Sequence, residues 1–277
     1  ASDEERFLLE ARVQAQLEHP SVVPVYDIGR GDAGPFFTMK RVQGTTLREL
    51  LVSRAPRARL LDVLADVMQT CAYAHRRGVV HRDLKPENVM VGEHGEVHVL
   101  DWGLAKVVTA HTLDVAPIDE VLASGVGTAG YMAPEQAKGL ATIDARADVY
   151  ALGAMLFEVL AGEPLNRGPS PEARLEQTLA IARETLLERS PELDVPPELD
   201  WLWHRATARD PADRFDDAGE LHRHLRRYLE GERDRELRHQ LAEARVRAAE
   251  ASLARRDEDG ALECLGAALG LEADHAR

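Results

Sequence analysis

The residues best suited to chemistry lie in the octet His81-Arg82-Asp83-Leu84-Lys85-Pro86-Glu87-Asn88, with Asp101-Trp102-Gly103 following a short apolar stretch. The octet has the form H-R-D-L-x-x-x-N, whose Asp accepts a proton from an attacking hydroxyl and whose Asn holds Mg²⁺. Asp101 would supply the other metal carboxylate, at a spacing that one β-hairpin can close. Five fixed positions at about one in twenty each make such an octet about a one-in-ten-thousand accident in a chain of this length. Chance is set aside, the more so because Ala133-Pro134-Glu135 follows downstream in the expected order.

On these residues the chain resembles a eukaryotic-like serine/threonine protein kinase of the bacterial type. Lys85, two residues after the Asp, resembles the serine/threonine branch rather than the tyrosine branch. The resemblance implies an α+β, protein-kinase-like fold with a truncated small lobe, a helical large lobe and a C-terminal helical tail. It implies ATP and Mg²⁺ as cofactors and proteins as substrates. Asp83 would orient the hydroxyl and accept its proton, Lys85 would neutralise charge near the transferred phosphate, and Asn88 and Asp101 would hold Mg²⁺. Thr128 would hydrogen-bond Asp83 and Lys85. Asp148 would bond the backbone of the catalytic loop, and Arg214 would pair with Glu135 of the A-P-E element. Metal binding should survive the exchange of the usual Phe for Trp102, although a buried indole N–H needs a partner.

Other elements must position these groups. Ser2 to Glu5 is a capping-type start, and an apolar stripe through Phe7, Leu8, Ala11, Ala15 and Leu17 predicts a helix over 3–18, ended by His19-Pro20. By resemblance, Glu10 is the ion-pairing carboxylate of that helix. Two strands are expected, Val22 to Ile28 and Pro35 to Val42, around a turn from Gly29 to Gly34. Met39 would be the gatekeeper behind adenine, Lys40 to Gly44 the hinge with Val42 inside it, and Met90 the floor under the base. Val89 to Val91 and Val97 to Leu100 read as a hairpin. Helices are expected at 47–54, 60–77, 148–160, 172–188, 197–208 and 216–230, the apolar one opening at Asp148 and ending at Gly162. His222 and His224, two apart, point to different faces of the last helix and read as solvated rather than as metal ligands.

Residues 104–132 form the activation segment. Its Gly125-Val-Gly127-Thr-Ala-Gly130 is a literal G-x-G-x-x-G, but it leads directly into Tyr131-Met132-Ala133-Pro134-Glu135. That context makes it a substrate-binding loop rather than a phosphate cradle. Arg82 would pair with an activation-loop phosphate in the family, and the matching loop positions here hold no Ser or Thr. Asp119 and Glu120 are candidates to stand in for it, giving weak dependence on loop phosphorylation, with solvated loop acids as the alternative. Ser124, Thr109 and Thr112 are the other phosphorylation candidates.

The chain has 277 residues and a formal net charge of −14, which argues against a nucleic-acid surface. Cys71 and Cys264 have no metal-ligand spacing and fit a reducing compartment. No apolar run is long enough to span a membrane and no leader is visible, so this stretch is expected to be cytoplasmic, with anchoring elsewhere left open. The first residue is Ala, as expected of a processed end or a cut. The organisation expected is a small-lobe remnant over 1–44, a large lobe over 45–230 and a tail over 231–277. The tail resembles half of a tetratricopeptide unit through Ala261, Leu265 and Ala268, or is an ordinary helical hairpin, and it could serve a protein partner.

No Gly-rich loop and no Val-Ala-x-Lys precede the first helix, and Lys40, Lys85, Lys106 and Lys138 are the only lysines. Three readings follow. The chain is a piece of an active kinase and inactive by itself, a kinase-derived regulatory or scaffold module, or a helical adaptor. The intact octet with Asp101 and Thr128 favours the first.

Overall fold

The computed structural model describes residues 3–32, 34–108, 127–140, 142–180, 186–189, 193–255 and 257–273. The chain divides into two compact units, residues 1–225 and 226–277.

The first unit begins with helix α1 (Asp3–Gln16), two residues shorter than the periodicity predicts. The chain tightens there, with Leu17 N–H donating to the Gln14 carbonyl and His19 N–H to that of Leu17. Strands β1 (Val25–Gly31) and β2 (Gly34–Met39) pair antiparallel from Val25 opposite Met39 to Gly31 opposite Gly34. They extend into the stretch expected to be a turn, leaving only residues 32–33 to connect them. Phe37 meets Phe7 of α1 at 5.0 Å between ring centres, which sets the ribbon on the helix. Val22, expected to open the first strand, instead bridges Val99 in parallel, and Val99 N–H donates to Ser21 at 2.8 Å.

After the hinge come β3 (Thr45–Thr46), α2 (Leu47–Val52), α3 (Arg57–Arg76) and β4 (Val79–Val80). Gly44, at φ +157°, is the close approach: a Cβ there would stand 2.2 Å from the Val91 carbonyl. Thr46 caps α2 reciprocally with Glu49, as a capping box does. Strands β5 (Val89–Val91) and β6 (Val97–Val99) form the expected hairpin, and β3 adds to it in the order β3-β5-β6. Strand β7 (Lys106–Val107) pairs back with β4.

Beyond α4 (Pro134–Ala137), the core is built on α5 (Ala145–Ala161), in which every residue from Ala147 to Leu160 is buried. Asp148 does not open this helix. Asp144 does, its carboxylate accepting from Arg146 N–H at 2.9 Å, so Asp148 lies one turn inside, where a charge must be paired. Helices α6 (Pro171–Leu179), α7 (Leu186–Arg189) and α8 (Pro197–Ala206) follow. Gly153 lets α5 and α8 touch, since a Cβ there would meet that of Ala206 at 2.6 Å. Each leucine buried in this core contributes about 1.5–3 kcal/mol.

Helix α9 (Ala218–Ala254) runs through Gly231 without the expected break, and α10 (Glu258–Ala273) follows. One interior glycine costs a helix only about 1 kcal/mol, and the flanking Arg, Glu and Leu outweigh it. His222 and His224 are half-buried rather than solvated, with His224 against Trp201 at 5.1 Å. Within the second unit the small residues Ala242, Ala249, Ala261 and Ala268 are buried between the helices. Leu237, Leu241, Leu253, Leu262 and Leu269 remain exposed. Among the described residues no helix is long and apolar enough to cross a membrane.

Candidate active site

The octet His81–Asn88 connects β4 to β5, and buried Asp148 of α5 holds its backbone. The Asp148 carboxylate accepts the His81 N–H and the Arg82 N–H, each at 2.8 Å, and the His75 Nε2–H at 2.8 Å. Burial alone would raise this carboxyl, but its interactions with His75 and His81 and the Arg82 amide outweigh that and hold it below the usual range. His75 Nδ1 accepts from Ala218 N–H at 3.2 Å, so the ring is the Nε2–H tautomer. His81 has the same arrangement, with Nδ1 accepting from Asp83 N–H and Nε2–H donating to the Leu100 carbonyl at 3.1 Å. Burial depresses its pKa and keeps it neutral.

With the backbone fixed, Asp83, Lys85 and Thr128 close on one another. Thr128 donates its N–H and its hydroxyl to Asp83 Oδ1 at 2.8 and 2.7 Å. Lys85 Nζ donates to Asp83 Oδ2 at 2.9 Å and to Thr128 Oγ1 at 2.8 Å. Asn88 turns its amide nitrogen to the Asp83 carbonyl at 2.9 Å, leaving its oxygen for a cation. Leu100 N–H donates to the Asn88 carbonyl at 2.8 Å, which brings the residue before Asp101 to Asn88. The Asp101 carboxylate is exposed, its one described hydrogen bond being a long 3.4 Å contact from Gly103 N–H. No group of three or more acidic, His or Cys side chains forms a cage among the described residues. One free carboxylate and one amide oxygen suit Mg²⁺, which is held by few protein groups together with substrate phosphates.

Glu135 and Arg214 meet fork to fork at 2.7 and 2.8 Å, both buried. Arg214 also donates to the carbonyls of Ala208 and Arg146, at 2.7 and 2.9 Å. Trp102 is fully buried, and its indole N–H finds the Val99 carbonyl at 3.2 Å.

The small-lobe residues are placed differently. Glu10, half-buried on α1, faces Asp101 and Gly103 and has no cation beside it among the described residues. Burial first and the Asp101 carboxylate second raise its pKa. Met39, expected as the gatekeeper behind adenine, is 51% exposed at the end of β2. Met90 is half-buried on β5, while Lys40 is exposed and Val42 half-buried in an irregular hinge. Glu120, like Asp119, Ser124, Thr109 and Thr112, lies outside the described residues.

One cluster escaped the sequence reading. Arg48 of α2 reaches Glu158 of α5 and the Tyr131 hydroxyl, each at 2.5 Å, and Glu87 of the octet at 2.8 Å. Tyr131 donates to the other Glu158 oxygen at 2.5 Å. Burial and the neighbouring Glu158 push the Tyr131 phenol up, so it stays a donor. This cluster ties the segment carrying Thr128 to the core. Glu158 was the clue, as the one charge in the apolar stretch Val149 to Gly162, and a buried charge implies a partner. Arg48, 110 residues away, and His75, 73 residues from Asp148, gave none.

Comparison with known proteins bears on the first unit as a whole. A family model described as protein kinase domain matches residues 1–225. The chain is similar to the serine/threonine-protein kinase PknB of Mycolicibacterium smegmatis, with 37% identity over 233 residues, covering 82% of this chain and 36% of that protein. It is 40% identical over 230 residues to the serine/threonine-protein kinase PknL of Mycobacterium tuberculosis, covering 79% of this chain and 54% of that protein. The chain thus spans between about a third and about half the length of these relatives.

Proposed function

The chain belongs to the protein kinase family, and on that premise we propose that it serves to transfer the γ-phosphate of ATP to serine or threonine hydroxyls of proteins. The observation that carries this reading is the bonded set of Asp83, Lys85 and Thr128 beside Asn88. Asp83 accepts the proton of the attacking hydroxyl and Thr128 fixes the direction of its carboxylate. Lys85 places a positive charge where the phosphoryl group passes. Asn88 and Asp101 would hold Mg²⁺, which when bound neutralises charge between phosphate oxygens. Phosphoryl transfer needs little covalent chemistry from the protein, so positioning and charge account for most of the rate.

Adenine would lie between Met90 below and the backbone of Lys40 to Gly44 at the side, near Met39. No Gly-rich loop stands before α1 in this sequence to cover that space, and no Val-Ala-x-Lys supplies a lysine for Glu10. By itself the chain is therefore expected to bind nucleotide poorly and to transfer no phosphate. Arg82, with Asp119 and Glu120 as acidic stand-ins for a loop phosphate, fits a kinase that needs little loop phosphorylation. Phosphatase treatment should then spare activity, and Glu120→Arg should remove it. The reading places the domain on the cytoplasmic side, where ATP is supplied and the free thiols Cys71 and Cys264 stay reduced.

The test uses the full-length protein as its gene encodes it. Asp83→Ala and Asp101→Ala should each abolish transfer of labelled phosphate to a generic serine/threonine substrate, with nucleotide affinity falling mainly for Asp101→Ala. Wild-type turnover in Asp83→Ala refutes the mechanism.

A second reading concerns the tail. Its exposed leucines and a cleft of about 320 Å³ lined by Ala242, Val246, Leu265, Ala268 and Leu269 favour a protein partner for this hairpin. Sedimentation of the wild type against Leu262→Glu/Leu269→Glu tests it. A wild type that associates with nothing removes the reading.

A further inference from the structure

The helix pair of the second unit buries its small apolar residues and exposes its large ones. Ala242 and Ala249 of α9, and Ala261 and Ala268 of α10, form the buried seam, each pair seven residues apart. Alanine offers a single methyl to burial, whereas the larger Val246, Leu253, Leu262, Leu265 and Leu269 stay outside. These five recur at the spacing of a second helix–helix seam. Leu253 lies seven residues after Val246, and Leu265 and Leu269 lie three and seven after Leu262. Val246, Leu265 and Leu269 line one cleft, and Leu262 and Leu269 are 68% and 70% exposed. Helix α10 is apolar on average and scarcely amphipathic, which suits a helix covered on more than one face.

The rim of the cleft selects what fits it. Glu243 and Arg247 stand one helical turn apart beside Val246 and bond each other at 3.4 Å on the surface, with His239 at 3.5 Å from Glu243. Such exposed pairs exchange partners at little cost. The cleft brings Ala242 together with Ala268, so the alanine seam sets Arg245 of α9 level with Leu265 of α10. Arg245 is also the midpoint between Glu243 and Arg247, and the midpoint of Leu262 and Leu269 falls beside Leu265. One two-fold axis crossing both helices at that level therefore sets Glu243 of one copy against Arg247 of the other, and Leu262 against Leu269. A patch that complements itself in charge and in apolar contour is the mark of an isologous interface.

We propose that this face binds a second copy of the same chain, the two hairpins closing antiparallel into a four-helix bundle. The proposal rests on the reading of the tail as a docking surface for a protein, and names the partner.

Sedimentation equilibrium of the 277-residue chain at micromolar concentration should give twice the 30.6 kDa of one chain. Leu262→Glu/Leu269→Glu should sediment as one chain, with its helix content by circular dichroism unchanged. Glu243→Arg and Arg247→Glu should each weaken association about tenfold, because like charges then meet twice. An equimolar mixture of those two variants should recover wild-type association, since across a two-fold axis each supplies the charge that the other lacks. Single charge variants that associate like the wild type, or a mixture no better than its parts, overturn the proposal. Dimers of the double-leucine variant put the contact elsewhere and overturn it too. So does a wild type that sediments as one chain. In that case, capture of other proteins by the wild type but not by the double-leucine variant leaves the protein-partner reading standing, and capture by neither removes both.

Discussion

Two carboxylates set the halves of the first unit apart. Asp148, at the base of the catalytic loop, is fully buried yet held below its ordinary pKa because His75, His81 and the loop amides surround it. Glu10, on the small-lobe helix, is less buried yet raised, because burial and the like charge of Asp101 act on it with no cation in return. The other half is finished in itself: each buried charge among its described residues has a partner made of this chain's own residues. The small-lobe half holds Glu10 against the like charge of Asp101, with no cation beside it among the described residues, and leaves Met39 exposed. Folding and nucleotide binding are separable in such a molecule, and the difference between the halves can be measured.

The largest effect is expected where the finished half is most cross-linked. Arg214→Ala strands Glu135 among buried neighbours and should cost about 3–5 kcal/mol in denaturant unfolding, because an unpaired buried charge remains. A loss below about 1 kcal/mol would show that this half does not depend on its ion pairs.

Asp148→Asn is the next step down. It removes the charge but keeps an acceptor, so it should cost roughly 2–3 kcal/mol near neutral pH. The sign follows from linkage: a folded pKa below the unfolded value gives stability present above the unfolded pKa and lost as pH falls through the folded one. The deficit of Asp148→Asn should therefore shrink as pH drops below about 4. A deficit independent of pH would mean that shape, not charge, holds the catalytic loop.

Glu10→Gln should act with the opposite sign and least strongly. A folded pKa above the unfolded value means stability is lost as pH rises from the unfolded toward the folded pKa. Removing that charge from the chain should raise its thermal midpoint by about 1–3 °C at neutral pH and leave it unchanged near pH 4. A lower midpoint at neutral pH would reveal a cation partner for Glu10 and erase the contrast between the halves.

The two halves also differ in how far the sequence disclosed them. Asp83, Asn88 and Asp101 stood out by motif spacing, and Lys85, Thr128, Asp148 and the Glu135–Arg214 pair by resemblance; the structure brings Asp83, Lys85, Asn88 and Thr128 together and pairs Glu135 with Arg214. The hairpin of β5 and β6 was legible too, with Gly92 and Gly95 between alternating valines. Helix ends were less so. A single glycine at 231 looked like a boundary, but α9 runs through it, and Asp144 rather than Asp148 caps α5. Arg48 and His75 were invisible because their partners are joined by folding, not by sequence. Exposure was the hardest to foresee: Met39 fits a gatekeeper position, yet nothing among the described residues encloses it.

The most direct test is calorimetric titration of the 277-residue chain with Mg²⁺-ATP. The account predicts no binding in the micromolar range and no phosphate incorporation, although unfolding should remain cooperative. Micromolar binding with autophosphorylation would contradict it, showing that these residues complete the nucleotide site unaided.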